Sequence, residues 1–352
     1  MLSAWHGIEK VRGSTPLIST RAKGREKRHD IPPAMPERTD RKILFAWTGV
    51  TSYMADCWRE LAGRGSVDLR VVVERCGSGG EIDAARVFRG FDAKLVDPGE
   101  AVGFGAWAPD VVFAVGWRSP TVRRIVAGAE FAGVPKVCCF DMPWRWLPRC
   151  IAARWALKPI LRRYRAAFVP GAAAARYARW LGFRSVHKGL FSLDTSRFRG
   201  GAGGSGFVYI GRDAPEKRLD LLRRAHARYR EMGGAWPLDF YGGGGRFVQP
   251  ADVPALYRGH GCLVLASEFD PWPLVLLEAT AAGLPAIVSD RCGNADELGA
   301  RKVRFGDVEA MARAMAEAER GEIAPAGAGR AAEYDSRVWA DRVLEIAEEA
   351  TA

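Results

Sequence analysis

The chain has 352 residues, 48% of them hydrophobic and 26% charged, which is enough for two cores of roughly 150 residues each. No apolar run reaches the roughly 20 residues that span a bilayer, and no secretory signal is recognisable, so we expect a cytoplasmic protein. The net charge of +11 favours polyanionic partners without choosing between nucleic acid, anionic lipid and phosphorylated substrates. The seven cysteines form no CxxC pair and have no histidine at metal spacing, which predicts reduced thiols, mostly buried, and neither disulfides nor zinc.

Residues 1–40 differ from the rest of the chain. Their second half, RAKGREKRHDIPPAMPERTD, is rich in charge and proline and lacks a sustained hydrophobic period. A segment of this composition cannot bury enough apolar surface to form a core. We therefore expect a disordered basic leader that carries no chemistry.

From residue 41 onward, short apolar runs alternate with segments of helical spacing. Brief runs rich in branched and aromatic residues are typical of strands that are buried on both faces of a parallel sheet. The predicted strands are 42–48, 67–73, 110–116, 135–140 and 166–170 before the glycine-rich segment 200–204, and 207–211, 237–242, 262–267 and 285–290 after it. The pattern predicts an α/β protein with two parallel sheets, whose strand ends face each other across a ligand-binding cleft.

Two carboxylates lie eight residues apart in SEFDPWPLVLLEATAAGLPAIVSD, at Asp270 and Glu278. Pro271 and Pro273 suit a turn and the first position of a helix that runs to about residue 282. The N-terminus of such a helix offers unpaired backbone N–H groups to a phosphate. Glu278, two turns further on, can reach the hydroxyls of a sugar or a ribose.

This segment resembles the E-x7-E region of the retaining glycosyltransferases of family 4, with the two family glutamates falling on Asp270 and Glu278. Three further segments are similar to family motifs in the expected order. They are YIGRDAPEKRLDLLRRA at 209–225, the interlobe linker HKGLFSLDTSRF at 187–198 and the final helix YDSRVWADRVLEIAEEA at 334–350. The resemblance implies the two-lobed GT-B fold, built from two Rossmann-like lobes.

The resemblance also implies the domain bounds. We expect an acceptor lobe at 41–190, completed by a C-terminal helix at 336–352, and a nucleotide-sugar donor lobe at 191–335. The implied activity is transfer of a sugar with retention from a nucleotide-diphosphate-sugar to an acceptor hydroxyl, in cell-envelope polysaccharide or glycolipid synthesis. The acceptor is then a glycan or is linked to a lipid.

The resemblance assigns roles to individual residues. Arg212 and Lys217 fall on the family's diphosphate-binding Arg and Lys, and two cations there can neutralise the leaving group, so we expect no metal and no cofactor. Asp270 is expected at the donor sugar, and Glu278 at the nucleotide ribose. The other expected donor-binding residues are Thr48, Gly49, Gly211, Gly242, Pro271, Trp272, Pro273 and Leu274. On the acceptor side we expect Arg118, Asp141, Trp144 and Arg145.

The sequence departs from the family pattern at three places. Asp270 is one methylene shorter than the usual Glu, which leaves the identity of the donor sugar open. The stretch 240–257 lacks a helix that the family usually has there. Asp141 occupies a strand end where many relatives place a histidine.

These departures keep a second hypothesis open, a nucleotide-sugar-binding protein of the same fold with weakened catalysis. A basic nucleic-acid-binding protein fits the net charge, but no motif of that kind is recognisable, so we expect no nucleic-acid partner.

The stretch WRWLPRCIAARWALKPILRRYR, at 144–165, interleaves seven cations with three tryptophans and contains no acid. Tryptophan favours the boundary between water and lipid, and Lys or Arg is attracted to an anionic surface. Pro148 and Pro159 limit the helix to about three turns, which favours surface contact over insertion. The pattern fits reversible docking on the inner membrane face and fits equally well a packed helix with solvated arginines.

Overall fold

The computed structural model describes residues 40–76, 84–145, 147–200, 203–242, 245–246, 248–249 and 251–352, and of Arg149 and Ala328 it describes only the backbone. The predicted leader at 1–40 lies outside the described residues except for Asp40. The described residues from 40 onward belong to one compact unit, Thr39–Ala352.

The described part of the N-terminal lobe contains seven strands and six helices. The strands are β1 (Arg41–Thr48), β2 (Val67–Glu74), β3 (Asp92–Val96), β4 (Val111–Val115), β5 (Lys136–Cys139), β6 (Ala166–Val169) and β7 (Ser185–Lys188). The helices are α1 (Ser52–Ala62), α2 (Ala84–Val87), α3 (Pro120–Ala127), α4 (Pro148–Ala156), α5 (Lys158–Leu161) and α6 (Ala172–Leu181).

The described part of the chain after residue 200 contains five further strands and six helices. In chain order they are β8 (Phe207–Gly211), α7 (Leu219–Glu231), β9 (Leu238–Gly242), α8 (Val253–Gly259), β10 (Cys262–Leu265), α9 (Leu274–Ala282), β11 (Ala286–Ser289), β12 (Arg301–Val303), α10 (Val308–Glu319), α11 (Ala328–Ala332) and α12 (Ser336–Thr351).

The N-terminal sheet has the strand order β3-β2-β1-β4-β5-β6-β7, and every neighbouring pair is parallel. Along β1, Ile43 and Phe45 belong to the core on one face, whereas Leu44 and Ala46 belong to the core on the other face. Side chains of a strand alternate between the two faces, so a strand that is apolar at every position needs cover on both. Helices supply that cover.

The final helix, α12, completes the N-terminal lobe. Its residues Trp339, Val343 and Ile346 are fully buried in the core that also contains Ile43 and Phe45. The indole of Trp339 donates a hydrogen bond to the Leu190 carbonyl, at 2.9 Å, where the chain leaves the first sheet. The chain therefore returns to the first lobe after it has built the second.

The C-terminal sheet has the order β12-β11-β10-β8-β9, again entirely parallel. It has its own hydrophobic core, in which Phe207, Leu263 and Leu277 are fully buried. Two parallel sheets are thus confirmed. All seven cysteines are free thiols, six buried and Cys76 exposed.

Candidate functional site

The carboxyl ends of the C-terminal strands border a cavity of about 240 Å³. Segments that follow β8 and β10 meet there, as expected for ligand sites in parallel sheets. The lining residues are Tyr209, Ile210, Gly211, Arg212, Lys217, Leu265, Asp270, Trp272, Pro273, Leu274 and Val275. The lining therefore brings together Arg212, Lys217 and Asp270 with four of the residues expected at the donor. Five others expected at the donor are not part of this lining, namely Thr48, Gly49, Gly242, Pro271 and Glu278.

Lys217 and Asp270 form an ion pair at this cavity. The Lys217 Nζ lies 2.5 Å from Asp270 Oδ2, and only 19% and 10% of the two side chains are exposed. Lys217 ends a short 3-10 turn after β8, and Asp270 follows β10. An ion pair shielded from water is far stronger than a surface pair, so each side chain fixes the orientation of the other.

The backbone holds Asp270 in place. Its carbonyl accepts a hydrogen bond from Gly293 N at 2.9 Å, and its N–H donates to the Arg291 carbonyl at 3.4 Å. The N–H of Glu268 donates to the Glu216 carbonyl at 2.8 Å, which joins the segment after β8 to the segment after β10. The carboxylate of Asp270 is thus positioned before any ligand arrives.

Glu278 lies in the second turn of α9, where protein surrounds its carboxyl group while the side chain keeps partial access to solvent. Its Oε2 accepts a hydrogen bond from the Tyr257 hydroxyl at 2.7 Å. Burial raises the pKa of Glu278, an effect that the Tyr257 hydrogen bond and the nearby Arg197 only partly offset. Within the described residues, Glu278 Oε1 has no hydrogen-bond partner, so this oxygen is available to a ligand.

The N-terminus of α9 lies beside Asp270. Pro273 precedes the helix, and its carbonyl accepts a hydrogen bond at 3.0 Å from the side-chain amide of the buried Asn294. No acidic side chain occupies the first turn of α9. The Leu276 N–H donates to the Pro273 carbonyl at 3.1 Å, but the positive end of the helix dipole still favours an anion at this terminus.

Arg212 has a different environment from Lys217. Its guanidinium lies 3.2 Å from Glu216, four residues along the chain, and 79% of its side chain is exposed. A surface pair of this kind contributes about 0 to 1 kcal/mol, so it does not hold Arg212 away from the cavity.

Gly211 and Gly242 are paired neighbours at the ends of β8 and β9. Gly242 has a φ of +97°, and a Cβ there would lie 2.3 Å from the Gly211 carbonyl oxygen. Only glycine is compatible with this approach. The two strand ends therefore form a surface without side chains next to the cavity that Gly211 lines.

On the facing lobe, the expected residues lie at the carboxyl ends of β1, β4 and β5. Thr48 and Gly49 are half-buried, and Gly49 has a φ of +74°. Arg118 is exposed. Asp141 is accessible to solvent through the open cleft, although protein surrounds it on most other sides. This partial burial raises the pKa of Asp141, and the nearby Asp270 carboxylate raises it further. Asp141 and Asp270 therefore face the same space from opposite lobes.

Trp144 and Arg145 have different surroundings. The Trp144 ring packs against Tyr177 and Trp180, with centroids 5.9 and 4.9 Å apart. The Arg145 guanidinium lies 4.5 Å from the ring centroid of Phe269, the residue before Asp270. Trp144 thus belongs mainly to the packing of its own lobe, whereas Arg145 contacts the C-terminal lobe.

Two further contacts join the lobes. A carboxylate oxygen of Glu297 accepts a hydrogen bond from Ala172 N, at the start of α6, at 2.7 Å. A Cβ on the preceding Gly171 would lie 2.1 Å from the Trp272 ring, so glycine permits this close approach. The lobes therefore meet directly beside the cavity that Trp272 lines.

Sequence reasoning missed four of these residues, namely Phe269, Tyr257, Glu297 and Asn294. Phe269 directly precedes Asp270, so its place in the sequence next to a predicted site residue could have indicated it. The other three contact residues at least 21 positions away in the chain, at Glu278, Ala172 and Pro273. No local sequence pattern predicts contacts between residues so far apart in the chain.

The described side chains contain no group of three or more His, Cys, Asp or Glu that could hold a metal ion. Across the same part of the chain, no helix has the length and apolar character needed to cross a membrane.

Residues 246–334 match the sequence model of a family described as Glycosyl transferases group 1. A comparison with curated proteins gives no significant match. The matched segment contains Asp270 and Glu278, and also Asn294 and Glu297.

Solved structures resemble the chain over most of its length. HepE from Anabaena, in complex with UDP and glucose, is 15% identical, with a TM-score of 0.62, over 88% of this chain and 100% of that one. The lipopolysaccharide outer core galactosyltransferase WaaB is 14% identical, with a TM-score of 0.65, over 89% and 100%. A glycosyltransferase from Rickettsia africae is 11% identical, with a TM-score of 0.67, over 88% and 98%.

Likeness at these identities shows the fold alone, and it agrees with the two parallel sheets facing across a cleft. The predicted GT-B fold is confirmed, and the family match at residues 246–334, taken with that fold, supports a glycosyltransferase of group 1.

Proposed function

We propose that the protein transfers a sugar from a nucleoside-diphosphate sugar to an acceptor hydroxyl, with retention of configuration and without a metal cofactor. The observation that carries this proposal is the largely buried Lys217–Asp270 ion pair, which lines the cavity at the ends of the C-terminal strands. We assign this cavity to the donor and call it the donor cavity. It places a fixed cation and a fixed carboxylate side by side, as a diphosphate joined to a sugar requires.

The diphosphate is assigned to Lys217, Arg212 and the N-terminus of α9. Breaking the bond between sugar and phosphate increases the negative charge on the leaving diphosphate. Fixed positive groups therefore stabilise the transition state more than the bound donor. Lys217 is already in position, and the exposed Arg212 is free to close over the phosphates.

The nucleotide ribose is assigned to Glu278. Its Oε1 is available, and the Tyr257 hydrogen bond to Oε2 holds the carboxyl group in one orientation. A carboxylate accepts hydrogen bonds from two adjacent hydroxyls, which a ribose provides. The glycine surface at Gly211 and Gly242 leaves room beside it for the flat base.

The donor sugar is assigned to Asp270, whose short side chain selects a hydroxyl close to the backbone. In a retaining transfer the acceptor attacks from the side of the departing diphosphate, whose oxygen takes up the acceptor proton. Lys217 at that oxygen and Asp141 on the opposite lobe then enclose the reacting atoms. The acceptor enters along the N-terminal edge, past Arg118 and Arg145.

Two of the similar solved structures indicate which substrates to test first. HepE is described with UDP and glucose, and WaaB as a lipopolysaccharide galactosyltransferase. We accordingly place uridine diphosphate sugars first among donors, and cell-envelope polysaccharides or glycolipids first among acceptors.

A thermal-shift panel of nucleosides, nucleoside diphosphates and their sugars tests donor binding. A ligand at about 100 times its dissociation constant stabilises the fold by roughly 2.7 kcal/mol, so the matching donor should stand out from the other bases. The stabilising donor is then incubated with EDTA and with candidate acceptors, and proton NMR reads the anomeric configuration of the product. We expect activity in excess EDTA and a retained anomer.

Three results would contradict parts of the proposal. An inverted product would exclude retention, and activity lost in EDTA but restored by magnesium or manganese would exclude the metal-free mechanism. Donor binding with neither transfer nor hydrolysis would favour the second hypothesis, a nucleotide-sugar-binding protein.

A further inference from the structure

A second and larger cavity, of about 430 Å³, lies on the N-terminal lobe. Arg165 precedes β6, and Arg184 precedes β7, so the cavity opens at the amino ends of these strands. The donor cavity lies at the carboxyl ends. The lining residues, which we call the basic pocket, are Arg154, Trp155, Lys158, Leu161, Arg162, Tyr164, Arg165, Leu181, Gly182, Phe183 and Arg184.

The basic pocket contains five cations and no carboxylate. One of them, Arg154, donates to the Trp180 carbonyl at 2.6 Å and lies over the Trp180 ring. Within the described part of the chain, none of the five takes part in an ion pair with Asp or Glu. All five cations are exposed, namely Arg154, Lys158, Arg162, Arg165 and Arg184. Like charges gathered without counter-charges attract an anionic ligand.

Trp155 stands at the rim of this pocket. Its side chain is 61% exposed, more than any other large hydrophobic residue that the structure describes. Its ring meets Trp180 edge-on, at 6.4 Å between centroids. An exposed indole beside cations fits the boundary between lipid head groups and acyl chains, where tryptophan is enriched.

The structure divides the basic stretch 144–165 into two parts. At one end Trp144 packs inside its own lobe and Arg145 contacts Phe269 across the cleft, so neither belongs to the pocket. At the other end α4 and α5 place Arg154, Lys158 and Arg162 together on the pocket wall. The membrane contact predicted for the whole stretch is therefore restricted to its second half. Arg184, from a distant part of the chain, lines the same pocket.

We propose that the basic pocket binds the phosphate of an anionic lipid head group while Trp155 enters the interfacial layer, so that the N-terminal lobe docks reversibly on an anionic membrane. A compact pocket with one projecting indole suits a head group in a bilayer. A nucleic acid would require an extended basic groove with several aromatic platforms. The site is separate from the donor cavity and does not depend on the chemistry proposed there.

The test is co-sedimentation of the full-length protein with two kinds of vesicle, one of phosphatidylcholine and one of equal parts phosphatidylcholine and phosphatidylglycerol. The pocket variant combines Lys158→Gln, Arg162→Gln and Arg165→Gln. A control variant changes three exposed cations of the same lobe outside the pocket, Arg89→Gln, Arg123→Gln and Arg124→Gln. Trp155→Ala forms a fourth protein, and inorganic phosphate and pyrophosphate serve as soluble competitors.

Wild type and the control variant should bind the anionic vesicles at low salt, leave them at high salt and ignore the neutral ones. The pocket variant should bind about 100-fold more weakly, as expected for the loss of three surface cations. Trp155→Ala should weaken binding at low salt without changing how steeply binding falls as salt is added, because the contribution of the indole is not electrostatic.

Several outcomes would overturn the proposal. One is equal loss in the control and pocket variants, which would make the binding a general effect of net charge. Another is equal binding by the pocket variant and wild type. Failure of wild type to bind anionic vesicles, with pyrophosphate stabilising it but not the pocket variant, would assign the pocket to a soluble anion.

Discussion

Two carboxylates in the C-terminal half of the chain are buried by the protein in different ways. Asp335 lies before α12 and accepts hydrogen bonds from the backbone N–H and side chain of both Thr195 and Arg337. Glu278, beside the cleft, accepts one from Tyr257 within the described residues. Burial alone would raise the pKa of both groups. At Asp335 the hydrogen bonds outweigh burial and leave the pKa lowered, whereas at Glu278 the pKa stays raised.

We interpret this difference as one between a structural carboxylate, Asp335, and a carboxylate proposed to bind a ligand, Glu278. Asp335 is satisfied by the protein itself and ties the interlobe linker at Thr195 to the start of the returning helix. Glu278 is under-satisfied, which costs stability and persists most naturally where a ligand completes the hydrogen bonding. Asp270 is an intermediate case, because one cation, Lys217, satisfies it and the same cation can serve the donor.

The largest effect is expected at Lys217. Lys217→Ala should lower the turnover number by about 100- to 1,000-fold, because a fixed positive group no longer opposes the charge that develops on the leaving diphosphate. Donor affinity should fall less than turnover. Arg212→Ala should change turnover in the same direction. Steady-state kinetics on both variants give the two parameters separately.

Folding must be controlled in this experiment, because Lys217→Ala leaves Asp270 buried without its counter-charge. The double variant Lys217→Ala with Asp270→Asn removes that penalty, and its melting temperature should recover while turnover does not. Arg224→Ala removes an exposed cation from α7 and should leave kinetics unchanged. Normal turnover in a folded Lys217→Ala variant would show that the ion pair is structural, like Asp335.

Glu278→Ala should weaken donor binding by about 10- to 100-fold, since ribose hydroxyls in the site would lose their acceptor, at roughly 1 to 3 kcal/mol. Titration calorimetry with the nucleoside diphosphate measures the dissociation constant directly. Tyr257→Phe is the matched control. It removes the donor to Oε2 but keeps the carboxyl group, and should weaken binding less. An unchanged dissociation constant for Glu278→Ala would remove the ribose assignment.

The sequence predicts the interior of both sheets and misses most of their edges. All nine predicted strands are present, and the described residues contain three more, β3, β7 and β12. Each of the three lies at a sheet edge. An edge strand is partly exposed and carries polar residues, as SVHK in β7 and RKV in β12 do, so it shows no continuous apolar run.

The site divides in a similar way. Asp270, Arg212 and Lys217 follow predicted strands, and Glu278 lies in the predicted helix after Asp270, so local patterns together with the family resemblance could single them out. Their partners could not. The Tyr257 hydroxyl reaches Glu278 from another helix, and Glu297 reaches Ala172 from the other lobe, through contacts that only the tertiary fold creates. The sequence predicts only part of the basic pocket. The stretch 144–165 supplies most of its cations, whereas Arg184 comes from outside that stretch.

The smallest expected effects test the opening comparison most directly, through the pH dependence of stability. A lowered pKa means that ionised Asp335 stabilises the fold at pH above the ordinary carboxyl range, and that this contribution disappears as pH falls through the folded pKa. A raised pKa means the reverse at Glu278, where the folded state loses stability as pH rises through the folded pKa.

Asp335→Asn and Glu278→Gln should therefore shift the melting temperature in opposite directions at neutral pH, each by a few degrees. Asp335→Asn lowers it because a stabilising charge is lost, and Glu278→Gln raises it because the penalty for burying a charge is lost. In acid, where both wild-type groups are protonated, the two differences should vanish. Differential scanning calorimetry of the two variants and wild type across pH measures this pattern. Shifts of the same sign at neutral pH would mean that the protein satisfies Glu278 as fully as Asp335, and Glu278 would then be a structural residue.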